Sequence, residues 1–511
     1  MKQIIGPGNP ESGAPNLNNI IGGVTALFLQ WIQQGFFTNV RKDLLSGLTV
    51  AFALIPEAIA FSIMAGVDPM VGLYASFVMA VSISFFGGRP GMISAATGAM
   101  ASLMGPLIAK YGIEYLFAAT ILTGIIQWIL GAIKFGRFIT FVPHSVMVGF
   151  VNALAIIVFM AQLPNFKGAS MEMYLMVAGT LLIVYFFPML TKVIPSALIA
   201  IVVMTIISMI THADVRTVGD MGAITQSLPS FHLPGVPFTV HMILTVLPFS
   251  LALAIVGITE SLLTATVVDE MTDTGSDKNR EIKGQGISNI INGFFGGMAG
   301  CAMIGQTVIN VRSGGRTRLS TFISGAFLLF LIIVLGDVVK QIPMAALVGV
   351  MFVVAIGTFD WTSLRTLTKA PRSDTVVMIL TVIIVVATSN LALGVVTGVV
   401  LSALNFGWKM ARIHISTELA SDDQIVYSVE GPLYFGTASH FTHRFDCQQD
   451  PNRVIIDFSK SHLWDHSAMA ALLKVIDKYE VLDKKVTLTG INQESKQMMD
   501  KMGMDITIQT K

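Results

Sequence analysis

Ala95-Ala96-Thr97-Gly98-Ala99-Met100-Ala101-Ser102 and Gly300-Cys301-Ala302-Met303-Ile304-Gly305-Gln306-Thr307 are two short stretches of small and hydroxyl-bearing residues within an otherwise strongly apolar chain. Each opens an apolar run shorter than the roughly 20 residues a helix needs to cross a bilayer. Around them, from Leu44 to Met410, runs of near-spanning length alternate with short polar breaks. Seven lie near 44–66, 70–87, 95–110, 115–133, 142–162, 172–190 and 194–211. After a long polar break, from Thr211 to Thr239, seven more lie near 242–268, 285–299, 302–312, 319–336, 343–357, 374–389 and 391–408. The two quoted stretches belong to the third and the tenth run, which hold matching places if the chain is two repeats of seven. Paired short, glycine-interrupted segments at corresponding positions point to the central site of a transporter. An odd number of spans per repeat also inverts the second repeat relative to the first. The predicted fold is thus an α-helical polytopic membrane protein of 14 spans, with a soluble appendage from Ile413 onward.

Composition supports this reading. Hydrophobic residues make up 53% of the chain and charged ones only 12%, against about 25% charged in soluble domains. That deficit excludes an ordinary water-soluble enzyme. A net charge of +1 gives no reason to expect a nucleic-acid partner. The two cysteines, Cys301 and Cys447, fall in regions of opposite polarity, so no disulfide framework is expected. Residues 1–40 begin with a polar Pro- and Gly-containing segment, and Ile20 to Phe37 reads as an amphipathic helix lying against the membrane surface. No removable signal peptide is predicted.

Charge sets the orientation. If the N-terminus is cytoplasmic, Arg41, Lys42, Arg89, Lys134, Arg137, Lys192, the 278–283 cluster, Arg312, Arg316, Arg318, Arg365, Lys369, Arg372, Lys409 and Arg412 all lie inside. Only Lys110, Lys167, Arg216 and Lys340 lie outside, as the positive-inside rule requires. Both termini are therefore expected on the cytoplasmic side of the cell inner membrane. Arg312, Arg316 and Arg318 read as topology and lipid-headgroup anchors.

The first amides of a half-helix have no intrahelical partner, and the dipole adds about 1–2 kcal/mol for an anion in a partly buried setting. Two such ends meeting at mid-membrane would hold a small anion without a buried arginine. The candidate contacts are Thr97, Gly98, Ala99, Gly305, Gln306 and Thr307. Two carboxylates lie inside apolar runs, where a charge is costly and functional by default. Glu57 follows Pro56; it is read either as a proton carrier or as an acceptor tied to the local backbone. Glu260 shares a helix face with Thr264, four residues on. Beyond Ile413, strands are predicted at 424–429, 454–458 and 485–490, and helices at 467–479 and 493–502, making a small α/β domain over 413–511. It carries no phosphate loop, metal-ligand spacing or nucleophile elbow. A binding or regulatory module fits, and no enzyme activity or resident cofactor is expected. Asp465 is expected to cap the helix that follows it.

Pro56-Glu57-Ala58-Ile59-Ala60-Phe61, Gly72-Leu73-Tyr74-Ala75 and Asn310-Val311-Arg312-Ser313-Gly314-Gly315-Arg316-Thr317 resemble the signatures of the sulfate permease (SulP) family. Val454-Ile455-Ile456-Asp457-Phe458 followed by Asp465-His466-Ser467 is similar to a STAS domain. The resemblance runs from about Arg41 to Gly503. It implies a transmembrane domain (41–412) of two inverted repeats split into a core and a gate, a homodimer, and a substrate among sulfate, bicarbonate, chloride and dicarboxylates. It also implies that the acidic residue at 260 helps bind a coupling cation or shapes the substrate site. Sodium is the candidate metal ion at Glu260 and Thr264, with carbonyls of the tenth run. Relatives often carry another residue, sometimes basic, near Gln306, so this chain has no fixed positive charge there. A cation-coupled carrier of an inorganic anion is the leading expectation, with a dicarboxylate–proton symporter, an exchanger or a passive channel as alternatives. A nucleobase–cation symporter would share the inverted fold but not these motifs. A cytosolic partner of the STAS domain is a further expectation.

Overall fold

A computed structural model describes residues 33–501 and 508–509, apart from 34, 138–141, 191–194, 223–224, 368, 370 and 389. Most of the Ile20–Phe37 segment lies outside the described residues. The chain divides into two compact units, residues 1–399 and 400–511. The break falls within the last apolar helix, and Tyr434 Oη donates to the carbonyl of Gly407, fastening that helix's end to the second unit.

Every predicted run of the first unit holds a helix. In the first repeat these are α1 (Val40–Ala65), α2 (Pro69–Phe86), α3 (Gly98–Tyr111), α4 (Ile113–Ala132), α5 (His144–Met160), α6 (Met171–Leu190) and α7 (Ser196–Thr211). In the second they are α8 (Val240–Thr272), α9 (Lys278–Phe294), α10 (Ile304–Arg312), α11 (Arg318–Lys340), α12 (Met344–Thr358), α13 (Arg372–Thr388) and α14 (Leu391–Met410), with a short helix, Trp361–Thr366, before α13. Among the described residues, nine helical segments are long and apolar enough to cross a membrane. Local chemistry sets the ends. Gly66 takes the left-handed conformation (φ 81°) that closes α1, and Pro69 occupies the first turn of α2, where no N–H is missed.

The packing follows the repeats. Helices α1–α4 associate with α8–α11, while α5–α7 associate with α12 and α13. Contacts come in exchanged pairs: α1 with α11 and α4 with α8, α3 with α8 and α10 with α1, α2 with α11 and α9 with α4. Such swapped partners are what two repeats related by a two-fold axis must produce. An apolar cavity of about 280 Å³, lined by Met64, Ser102, Ile157, Met160, Ala161 and Val386, lies on the seam between the two helix groups.

One boundary is corrected. The ninth run, predicted at 285–299, is instead a helix at 278–294 whose N-terminus is capped by Asp277 accepting from Arg280 N at 2.9 Å. Its Glu281, Gln285, Ser288, Asn289 and Asn292 are buried in protein between α2 and α4, so it is polar and still interior. A second correction concerns the arginines. Arg318 is buried, and its guanidinium donates to the carbonyls of Ser84 (2.9 Å) and Gly87 (2.7 Å) at the end of α2. Arg316 likewise donates to Val311 O and Gly315 O at the end of α10. Arg318 thus satisfies orphan carbonyls at a helix end instead of standing out toward headgroups, whereas Arg316 donates to nearby carbonyls and is itself exposed. Arg312 remains exposed.

Beyond two short strands of the first unit, β1 (Ser94–Ala96) and β2 (Gly300–Ala302), the second unit is a five-stranded sheet whose strands neighbour one another in chain order. Its strands are β3 (His414–Ser421), β4 (Gln424–Leu433), β5 (Arg453–Leu463), β6 (Lys485–Thr489) and β7 (Ile508–Gln509). Only the β3–β4 pair is antiparallel. Helices α15 (Ala438–Thr442), α16 (His466–Glu480) and α17 (Gln493–Lys501) complete it. Asp465 caps α16, accepting from Ala468 N at 2.8 Å. Inside, Tyr427 Oη (2.8 Å) and Tyr479 Oη both donate to Asp450 Oδ2. Burial and that carboxylate push the Tyr427 hydroxyl up to about 12.

Candidate functional site

The stretches that precede α3 and α10 form a two-stranded antiparallel crossing. β1 (Ser94–Ala96) pairs with β2 (Gly300–Ala302), with Ala95 opposite Cys301. Because the strands run in opposite directions, α3 and α10 both begin at the crossing and leave it oppositely. Both N-terminal ends therefore come to one place, inside the α1–α4 and α8–α11 group. Three-residue strands at membrane depth cannot turn to water for their remaining backbone groups, so protein must supply partners. Asn289 of α9 does so twice: its Oδ1 accepts from Gly300 N and its Nδ2 donates to Gly300 O, both at 2.9 Å. Ser261 Oγ accepts from Ala302 N (3.2 Å), and Ser76 Oγ from Ala96 N (3.3 Å). Met303 N donates to Ile93 O at 2.9 Å, extending the pairing by one step.

Two carboxylates stand at the crossing. Glu260 is buried, and its Oε2 accepts from the Cys301 thiol at 2.9 Å. Thr97 Oγ1 lies 3.2 Å from Cys301 Sγ, so the thiol links it to Glu260. The sequence-predicted residues Thr97 and Glu260 are thus brought together, through a cysteine that sequence reasoning passed over. Glu57, on α1, accepts from Gln306 Nε2 at 2.7 Å, joining the first repeat to α10. Phe61, one turn beyond Glu57, covers Gly98: a methyl group there would come within 2.8 Å of the ring. Gly305 is the opposite case. It is exposed, and nothing lies within 4 Å of the place a methyl would take.

Other predicted site residues have structural partners as well. The Thr307 hydroxyl is committed to the main chain of Ile93, accepting from its N–H at 3.0 Å and lying 3.4 Å from its carbonyl. It therefore ties α10 to the residue before β1. Thr264 Oγ1 donates to the carbonyl of Glu260 at 2.7 Å, so only its lone pairs are left for a cation. Its oxygen and the Glu260 carboxylate are hard ligands that fit sodium. Among the described residues no cluster of three or more His, Cys, Asp or Glu side chains could hold a metal. Thr97 caps α3, its hydroxyl accepting from Met100 N at 3.4 Å, while Met303 gives α10 no side-chain cap.

Comparison with known proteins fits this geometry. The model of the sulfate permease family matches residues 40–177 and 169–381, and that of the STAS domain matches 416–511. The chain belongs to the sulfate permease family. This permease is 57% identical over 471 residues to the putative sulfate transporter YbaR of Bacillus subtilis, covering 92% of this chain and 98% of the relative. It is 27% identical over 522 residues to the bicarbonate transporter BicA of a Picosynechococcus species, covering 91% of each. Among solved structures, the permease resembles the transmembrane domain of a cyanobacterial BicA at a TM-score of 0.62 and 29% identity, over 72% of this chain and 98% of that one. SLC26A9 superposes at a TM-score of 0.81 with 18% identity, over 98% of this chain and 94% of that one, a likeness of fold alone.

Proposed function

We propose that this permease is a secondary active carrier of a small inorganic anion, sulfate or bicarbonate, working by alternating access and driven by a coupled cation. The observation that carries the reading is the crossing itself. It brings two half-helix N-termini together in a protein-lined interior and leaves the first turn of α10 open at Gly305. Unpaired amides there attract an anion, and no arginine is needed. The division into two helix groups supports the mechanical half of the reading, with the α1–α4 and α8–α11 group carrying the site past the other. Glu260 is the coupling residue: a carboxylate beside an anion site is a liability that a bound cation removes. That cation is sodium, held with Thr264, or a proton. The relatives named for sulfate and for bicarbonate support the substrate class. We place the protein in the cell inner membrane with both termini cytoplasmic, as a homodimer whose STAS domain offers a surface to a cytosolic regulator.

The test is uptake of labelled sulfate, bicarbonate and succinate into proteoliposomes under imposed sodium or proton gradients. Concentrative uptake of one inorganic anion, driven by one cation and lost in Glu260→Gln, is the expected result. Uptake that only equilibrates, indifferent to both gradients and to the substitution, would refute coupling. Preference for succinate would refute the inorganic-anion assignment.

A further inference from the structure

Gln306 holds an unanswered acceptor. Its side chain is only 2% exposed. Its Nε2 donates to Glu57 Oε1 at 2.7 Å, but its Oε1 is shut away from solvent with no hydrogen-bond partner. A buried acceptor without a donor is costly, of order 1–3 kcal/mol, and native structures keep few of them. The amide cannot exchange its two ends freely. Turning Oε1 toward an ionised Glu57 would set two acceptors against each other. An ionised Glu57 thus fixes which way the amide points. Its one side-chain hydrogen bond is the one from Gln306, and no charged side chain pairs with it among the described residues. The orphaned oxygen sits one residue after Gly305, on the open first turn of α10.

We infer that Gln306, oriented by Glu57, selects an anion that still carries a hydrogen, so that the substrate's own hydroxyl supplies the donor its carbonyl lacks. The inference deepens the carrier reading and rests on it. The α10 amides attract charge without distinguishing one small anion from another, whereas a carbonyl acceptor repels an anion whose oxygens are all acceptors. Bicarbonate has both parts, delocalised charge for the amides and one O–H for the carbonyl. Sulfate, fully deprotonated near neutrality, has only the first. A site built to hydrogen-bond a substrate hydroxyl discriminates strongly against an analogue without one.

Nitrate isolates that hydrogen, being a planar trigonal monoanion like bicarbonate. The experiment is equilibrium binding of bicarbonate and of nitrate at pH 8 to the full chain in detergent, for the wild type, Glu57→Gln and Gln306→Leu. The expected wild-type preference for bicarbonate is at least about tenfold. It should fall below about threefold in Glu57→Gln, where the new amide can itself donate to Gln306 Oε1. It should likewise fall in Gln306→Leu, which removes the carbonyl and keeps the α10 amides. A wild type with no such preference, or a preference unchanged in both variants, overturns the inference while leaving the carrier reading intact. Failure of the wild type to bind either of these anions or sulfate overturns the carrier reading, and the inference with it.

Discussion

The two half-helices begin from the same crossing and end up chemically unlike. In α3 the first turn is finished: Thr97 supplies its own cap, and Phe61 closes over Gly98. In α10 it is left open, with Met303 contributing no cap and Gly305 facing empty space. Equivalent positions in two repeats have been given different duties. One end is a fixed structural element tied to Cys301, and the other is the end that the proposed carrier reading opens to a ligand. Symmetry of backbone therefore does not imply symmetry of site, because the groups that satisfy or expose the first amides are side chains outside the repeat pattern.

The contrast can be broken most severely at the crossing that both halves share. In Gly300→Ala the new methyl would lie 2.5 Å from the Ala95 carbonyl. Backbone cannot move aside as a side chain can, so a loss of about 2–3 kcal/mol is expected, read as a lowered thermal midpoint in detergent with abolished uptake. Asn289→Ala should cost about 2 kcal/mol, since it strips both Gly300 backbone groups of partners in a site water does not fill. Thr97→Val is milder for folding, about 1 kcal/mol for the lost cap. It should impair coupling beyond that, because the hydroxyl also meets Cys301, whose thiol donates to Glu260. The smallest stability effect is expected at the open end. Gly305→Ala should change stability by under about 1 kcal/mol, in the stabilising direction, yet weaken anion binding several-fold. Equal destabilisation by Thr97→Val and Gly305→Ala would erase the proposed division of labour.

Much of this was visible in the sequence, for identifiable reasons. The pairing of α3 with α10 shows as two glycine- and hydroxyl-rich runs too short to span. Glu57 and Glu260 show because a carboxylate among apolar residues is costly. Cys301 did not show, because a cysteine in an apolar run looks like any small core residue until the fold sets Glu260 beside it. Helix α9 was displaced because hydropathy assumes that polar means outside, whereas Gln285, Asn289 and Asn292 are polar in order to serve the crossing and its flanks. Composition does not show that the Thr307 hydroxyl is hydrogen-bonded to the main chain of Ile93. Strand β3 escaped notice since it is a largely exposed edge without alternation.

The most direct test asks whether the anion sits at the open end of α10. Gly305→Cys, in a chain whose Cys447 is replaced by Ser, should react rapidly with a small hydrophilic thiol reagent, since the position is exposed and Cys301 is buried. Saturating sulfate or bicarbonate should slow that reaction many-fold, whereas succinate should not. Labelling that proceeds at the same rate with or without the transported anion, in protein that still takes the anion up, would place the substrate elsewhere and contradict the account.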